Sequence, residues 1–437
     1  MARASRNAGA MRRVIALALT PAVIVFAASN FVNLGNLAFN MVFSRLMGPE
    51  LFGLLALLLT IKLALLGVLG AVQSAVSQTV AAAGDDGTER ALSRVNRSLL
   101  SWLVFPVVSL AAGLLLAQTV GARLFAPAPL LALLLAALPF GASLSLLRGV
   151  AYGRMNAGRI ALSANVEMAV RLGGALVAWQ AGLGIGGVVL AISLSIAAGW
   201  AALAGLLPTP AADRAAARPM LRILILGALP FALLQVAQVM ALDGDIFLAS
   251  ALLPAAEAGK LAALSLVQRI QFFACVALAS VLLPGVVIAA RTGKDALSAA
   301  LPVAALFGAV SLVLLALASV MPGLLIGVLV GPAYLDAAPV LIMAVAAAVA
   351  FTFSYLCATF LAALGNRTGI VLVLAGALVQ LALMAALGAD AIGGLLAIKL
   401  ACQLAGAAVI GAVTLHAVLR RRTARRAPAP RGAAAAA

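Results

Sequence analysis

FSRLMGPELFGLLAL, residues 43–57, returns about 205 residues later as SALLPAAEAGKLAAL, residues 250–264. Pro49 meets Pro254, Gly53 meets Gly259, and the text GLLAL is matched by GKLAAL. The correspondence continues outward in both directions. Arg13 aligns with Arg218, Pro127 with Pro332 and Gly186 with Gly393, and IGGVVLAISL from Ile185 is echoed by IGGLLAIKL from Ile392. Landmarks that return in one order at offsets of 205 to 207, with single-residue gaps absorbing the drift, mark a duplicated chain.

What was duplicated is a set of membrane helices. Of 437 residues, 65% are hydrophobic and 9% charged, against about 45–50% apolar and ~25% charged in soluble domains. A bilayer core takes about 20 apolar residues per helix. Twelve such runs are expected: 14–42, 51–83, 99–120, 130–150, 160–181 and 185–207, then 221–242, 258–290, 299–330, 340–364, 369–387 and 392–419. The longer runs must tilt, extend beyond the lipid or kink at prolines such as Pro230 and Pro302. The expected fold is an all-α polytopic membrane protein. It comprises a cytoplasmic N-terminus (1–13), an N-terminal six-helix bundle (14–208), a cytoplasmic linker (209–220), a C-terminal six-helix bundle (221–419) and a basic disordered tail (420–437). Six spans per half is an even number, so the repeats should be parallel, a plan that recurs in alternating-access transporters.

The formal net charge of +17 raises the question of nucleic acid, and its placement answers it. With the N-terminus inside, 22 of 29 cations fall on the cytoplasmic side, among them Arg90, Arg94, Arg97, Arg148, Arg154, Arg214, Arg218 and the Arg420–Arg422 run. Arg45, Arg123 and Lys260 lie opposite. This is the positive-inside pattern, which puts both termini in the cytoplasm, accounts for the charge through membrane lipids and leaves nucleic acid without a role. A cleavable signal is the competing reading of the N-terminus, but the apolar run continues past Ser29 and the repeat needs that helix. Cys275, Cys357 and Cys402 fall inside apolar spans without metal-ligand spacing and read as packing residues, and His416 is the only histidine. Neither a metal nor a cofactor is expected, nor an enzyme's catalytic set.

Polar side chains within spans are costly, so they mark functional surfaces or helix contacts. Asn30, Asn33, Asn36 and Asn40 share one face of the first helix, and at the repeat offset Gln235, Gln238 and Asp245 take the places of Asn30, Asn33 and Asn40. Interhelical hydrogen bonding is the alternative to a cavity lining. Four cations lie within spans: Lys62, Arg171, Arg269 and Lys399. Exposed to lipid, each costs about 2.5–3.5 kcal/mol, so they should face a wet interior. Lys62 and Arg269 match in the two repeats to within one residue, and Lys62 shares its face with Gln73 and Ser77. Glu167 is the one acid deep in an expected span, and Asp243 and Asp245 sit at the outer end of the seventh. Four cations to one acid point to an anionic substrate group. Competing readings are that Arg171 merely neutralises Glu167 four residues earlier, and that Lys399 snorkels toward an interface. Lys62, Arg269, Arg171, Lys399, Asn33, Asn40, Gln73 and Gln238 are thus candidate substrate contacts, and Glu167, Asp245 and Asp243 candidates for ion coupling.

Other motifs carry no function. Gly182, Gly184 and Gly187 spell GxGxxG without a preceding strand, no GxxxxGK[ST] loop exists for ATP, and the sequons at Asn96 and Asn366 fall in cytoplasmic loops.

The stretch at 43–57 resembles the signature after the first helix of polysaccharide exporters and O-antigen flippases of the Wzx type. LLRGVAYGRMNAGRIALSANVEMAVRL from Leu146, GPAYLDAAPVL from Gly331 and FLAALGNRTG from Phe360 resemble further landmarks of that family. The resemblance implies an alternating-access fold of the multidrug/oligosaccharidyl-lipid/polysaccharide (MOP) superfamily, shared with multidrug and toxin extrusion (MATE) proteins and the lipid II flippase. It also implies a cleft lined partly by the first, second, seventh and eighth helices. The function it implies is flipping of an anionic, undecaprenyl-diphosphate-linked oligosaccharide across the bacterial inner membrane, with polysaccharide polymerase or export proteins as partners. A MATE-type drug/cation antiporter is the alternative, set second because the first helix offers asparagines where multidrug relatives use acids. A non-transporting scaffold of glycan export is the third. Lipid II flippases usually have fourteen helices, two more than are expected here.

Overall fold

The computed structural model describes residues 21–83, 86–101, 127–207, 217–291, 296–388 and 391–426. The expected third span, 99–120, falls outside the described residues from position 102 onward, as do the basic N-terminus, Arg123, most of the linker and the end of the tail.

Every regular element among the described residues is helical. In chain order these are α1 (Pro21–Ala83), α2 (Asp86–Ser101), α3 (Ala128–Leu135), α4 (Leu138–Gly153), α5 (Ala157–Gln180), α6 (Gly184–Ala201), α7 (Ala217–Leu252), α8 (Ala255–Arg291), α9 (Ala296–Val320) and α10 (Pro322–Leu329). A 3-10 segment (Pro332–Val340), α11 (Leu341–Ala363), α12 (Thr368–Leu387) and α13 (Ile392–Arg426) follow. Nine stretches among the described residues are long and apolar enough to cross a membrane, and the first of them, Asn30–Ala82, takes in the end of the first expected span and nearly all of the second.

Breaks fall where proline forbids continuation. Gly48, at φ 69° and ψ 176°, bends α1, and Pro49 starts the second arm, where its missing N–H costs nothing. Its repeat counterpart, Pro254, separates α7 from α8. The expected fourth span is divided in two, since Pro139 cannot donate to the carbonyl of Leu135 and α3 ends there. Pro230 and Pro302 remain inside α7 and α9.

Two boundaries depart from expectation. α7 runs on to Leu252, so Asp243 and Asp245 lie within the helix, where both are buried, and not at its outer end. Charges end an apolar run in a hydropathy count, but charges that find partners do not end a helix. The stretch expected as a cytoplasmic loop around Arg90 is instead α2, which buries Ala91, Leu92 and Val95 and exposes Arg90 and Arg97. Ser143 donates to Asn96 Oδ1 at 2.5 Å and Arg154 Nε donates to Glu89 at 2.8 Å, tying α2 to α4 and the residue that follows it.

The described residues gather into two compact units, Met1–Val239 with Pro254–Gly259, and Met240–Leu253 with Lys260–Ala437. In the first, α5 packs on α6, and α1 on α4 and α5. Gly149 and Gly153, four apart on α4, let it approach the second arm of α1 so closely that added Cβ atoms would stand 2.7 Å from the Gln73 carbonyl and 2.9 Å from that of Ser77. Such small-residue faces substitute close packing for a hydrophobic drive that lipid cannot supply. In the second unit, α13 packs on α11 and α12, and α9 on α11. α9 turns Leu301, Leu306, Leu312, Val313 and Val320 outward, as a helix bathed in lipid tails would.

The repeat-related glycines meet inside the first unit. A Cβ on Gly53 would lie 2.8 Å from Gly259 Cα, and one on Gly259 only 1.8 Å from the Pro49 carbonyl oxygen. Backbone cannot step aside as a side chain can. Gly259→Ala should therefore lower the melting temperature of the detergent-purified protein sharply, by more than the ~1–3 kcal/mol of ordinary overpacking. Gly376→Ala, which meets nothing within 4 Å, should leave it unchanged or slightly raised. Equal melting of the two variants would mean that this contact is not made.

Candidate functional site

The first unit contains an ionic cluster assembled from three helices. α5 begins cleanly because Asn156 caps it, its Oδ1 accepting from the Arg159 amide at 3.2 Å. Ser163, Glu167 and Arg171, at four-residue spacing, then fall on one face of that helix. α4 contributes Arg148, and α1 contributes Asn36 from its first arm and Lys62 from its second. Gly199 of α6 makes the room: a Cβ there would stand 3.1 Å from Glu167 Cβ and 3.5 Å from Arg148 Nη2.

Glu167 is the hub. Arg148 Nη2 reaches its Oε2 at 2.9 Å, Arg171 Nη2 its Oε1 at 3.4 Å, and Lys62 Nζ approaches Oε1 at 3.8 Å. Arg148 Nε donates to Ser163 Oγ at 3.1 Å, Ser163 donates to the Gly199 carbonyl at 2.8 Å, and Arg171 Nη1 donates to Asn36 Oδ1 at 2.9 Å. Lys62 and Glu167 are only 5% and 8% exposed. Three basic side chains thus share one carboxylate, a formal excess of two positive charges in a setting where an unpaired charge costs several kcal/mol. Among the described residues, Lys62 Nζ and Arg171 Nε are buried without a hydrogen-bond partner. The cluster holds more donors than acceptors.

The second unit is balanced. Asp243 and Asp245, two apart on α7, point to different neighbours: Arg269 Nε of α8 donates to Asp243 Oδ1 at 2.8 Å, and Lys399 Nζ of α13 donates to Asp245 Oδ2 at 2.7 Å. Gln268 Oε1 and the Leu242 carbonyl also accept from Lys399. Lys399 is fully buried, so it does not snorkel. Gln380 donates to the Ala241 carbonyl at 3.2 Å and pairs with Gln403, extending the polar surroundings of α7.

The remaining candidates are dispersed. Asn33 is exposed, Gln73 is half-buried and Gln238 is buried, while Asn40 donates to the carbonyl of Asn36 on its own helix at 2.8 Å. Lys62 and Arg269 occupy equivalent places in the repeat but have different partners, Glu167 and Asp243. Arg171 does contact Glu167 as the four-residue spacing allows, but as one of three cations there. Arg148, counted in the sequence among loop cations, belongs to the cluster. Its signal was available, since it falls inside the expected span 130–150 and not beyond it. Ser163 and Gln268 had no comparable signal. Cys275 and Cys357 are buried and Cys402 half-buried, all three with free thiols.

No family model matches the chain, and no curated protein matches it either. Solved structures share its fold. An inward-facing multidrug-resistance MATE transporter of the MOP superfamily is 15% identical and superposes with a TM-score of 0.74, over 90% of this chain and 96% of its own. A MOP-superfamily transporter from Pyrococcus furiosus, described by the reverse polarity of its binding pocket, is 17% identical with a TM-score of 0.60, over 91% and 94%. The eukaryotic MATE transporter AtDTX14 is 14% identical with a TM-score of 0.63, over 93% and 96%. The chain therefore has the fold of MOP-superfamily transporters, a multi-pass helical membrane architecture.

Glu167→Gln would keep the shape of the hub and leave three cations facing one another. Stability should fall by about 3–5 kcal/mol, the cost of breaking a buried pair from one side. Adding Arg148→Met should recover part of the loss, because the two residues are coupled. Melting temperature and membrane yield give the reading, and a Glu167→Gln protein as stable as the parent would mean that the hub does not neutralise its neighbours.

Proposed function

We propose that this protein is a membrane transporter, not an enzyme, and that its cargo carries negative charge. The observation that supports this is the excess of two positive charges around Glu167, with buried donors on Lys62 and Arg171 left over. A diphosphate would supply the missing acceptors, and arginine can grip one with two parallel hydrogen bonds. Lys62, Arg148 and Arg171 are better placed for that role than Arg269 and Lys399, whose charges are already matched by Asp243 and Asp245. With the resemblance of residues 43–57 to Wzx-type proteins, the reading becomes flipping of a diphosphate-linked oligosaccharide. In it Asn33, Asn40, Gln73 and Gln238 contact sugar, the lipid tail stays in the bilayer, and glycan polymerase or export proteins act downstream. The setting is a bacterial inner membrane with cytoplasmic termini, which impermeant labelling of a cysteine at position 218 checks.

The second reading is a MATE-type drug/cation antiporter, and the fold comparisons favour it more than the first, because multidrug transporters dominate the structural neighbours. It assigns Asp243, Asp245 or Glu167 to ion coupling. Against it stands the ion pairing of all three acids with fixed cations. The Pyrococcus furiosus relative, with its reversed pocket polarity, is a precedent for one fold with binding pockets of opposite charge.

Two phenotypes separate the readings: export of surface glycan in cells lacking their own flippase, and resistance to cationic drugs in cells lacking their own extrusion pumps. The first reading predicts restored export, unchanged resistance, and loss of export in Lys62→Glu at normal membrane level, since two charge-assisted bonds at about 1–3 kcal/mol each correspond to tenfold or more in affinity. Raised drug resistance, with no export in any strain, would establish the antiporter instead.

A further inference from the structure

Lys399 is held in a way that a simple salt bridge does not require. Its ammonium donates to three oxygens, the Leu242 carbonyl at 2.6 Å, Asp245 Oδ2 at 2.7 Å and Gln268 Oε1 at 2.6 Å. An ammonium has three protons, and all are used. Three elements converge on this point, α7 with its main chain and Asp245, α8 with Gln268, and α13 with the lysine stem. Leu242, Asp245, Gln268 and Lys399 are each 0–1% exposed. One carboxylate, one main-chain carbonyl and one amide oxygen make the donor set with which proteins hold hard metal cations. The cage also has ligand capacity in reserve, because Asp245 Oδ1 is buried without a hydrogen-bond partner among the described residues.

We propose that this is a monovalent-cation site of the second unit whose resident cation is covalently tethered: the Lys399 ammonium stands where a sodium or potassium ion would otherwise bind. The tether fixes the consequence. A cation that cannot diffuse away needs no concentration in the medium, so the second unit keeps its charge balance whatever the salt. Removing the ammonium leaves the oxygens in place and vacates the volume of the lysine stem, into which water can enter to complete an ion's coordination. Lys399→Ala should therefore turn a filled site into one that takes alkali ions. Asp243 lies close by on α7 but has its own partner in Arg269, so it leaves the charge of the cage at that of Asp245 alone.

The binding test uses the full chain purified in detergent and compares sodium, potassium and choline chlorides at equal ionic strength. The parent protein should melt at one temperature in all three and retain no radioactive sodium. Lys399→Ala should melt lower in choline, rise by several degrees in sodium or potassium in a saturable way, and bind one sodium or potassium ion per chain. Lys399→Ala combined with Asp245→Asn should show neither response. A Lys399→Ala protein indifferent to both ions would overturn the proposal, and so would one that cannot be recovered folded in any of the three salts, because the ion should replace the ammonium. The transport arm rests on the transporter reading: parent protein in proteoliposomes should work equally well, within about twofold, with choline or sodium on both sides. Sodium-dependent transport would contradict the tethered cation, whereas no transport of any cargo would count against the transporter reading and leave the binding result to decide this one.

Discussion

A positive charge taken out of water must be met by a carboxylate or by something else that brings negative charge. The ionic clusters of this chain follow from that constraint. Among the described residues, Lys62, Arg148, Arg171, Arg269 and Lys399 are withdrawn into helix packing with three acids to meet them, Glu167, Asp243 and Asp245. The shortfall is confined to one place. In the second unit Asp243 and Asp245 each have a cation, and in the first a single glutamate serves three. Replacing such a cluster with apolar side chains would be neutral or stabilising on general grounds, so stability alone does not explain why it is there. The anionic cargo proposed above would give it a role.

The duplication shows how the asymmetry is built. The mechanical landmarks are retained in both halves: Pro49 and Pro254 begin the second arm of each helix pair, and Gly53 and Gly259 touch backbone to backbone. The chemical positions have diverged. Asn40 stays neutral and bonds to its own helix, while its counterpart Asp245 carries charge and captures Lys399. Lys62 and Arg269 are both basic, but one joins a crowd around Glu167 and the other has Asp243. One half keeps unspent donors, whereas in the other Asp243 and Asp245 each meet one cation and keep an oxygen in reserve.

The scaffold was legible in the sequence for physical reasons. Apolar runs near twenty residues follow from the thickness of lipid and breaks at proline from its missing N–H; each acts locally, so a linear reading finds them. Pairing is not local. Asp243 and Asp245 looked like the end of a span because nothing nearby in sequence reveals Arg269 on α8 or Lys399 on α13. Arg148 looked like a loop cation because its partner Glu167 lies on the next helix. The amphipathic face of α2 was hidden by its charge, since three arginines read as a loop while Ala91, Leu92 and Val95 were packing beneath them. The sequence places four cations within spans and reads them as lining for a wet interior. Lys399 shows how a lysine can instead be enclosed entirely when three oxygens accept its protons.

Whether the cluster around Glu167 takes negative charge is read by equilibrium binding to the purified protein, by native mass spectrometry, of three amphiphiles of similar size: a long-chain isoprenyl diphosphate, the matching isoprenyl alcohol and a lipophilic phosphonium cation. The diphosphate should bind best, its advantage should shrink with rising salt, and Arg171→Gln should weaken it about tenfold, near 1.4 kcal/mol, without changing retention of the alcohol. Preference for the phosphonium cation, or diphosphate binding indifferent to Arg171→Gln, would mean that the cluster does not take negative charge.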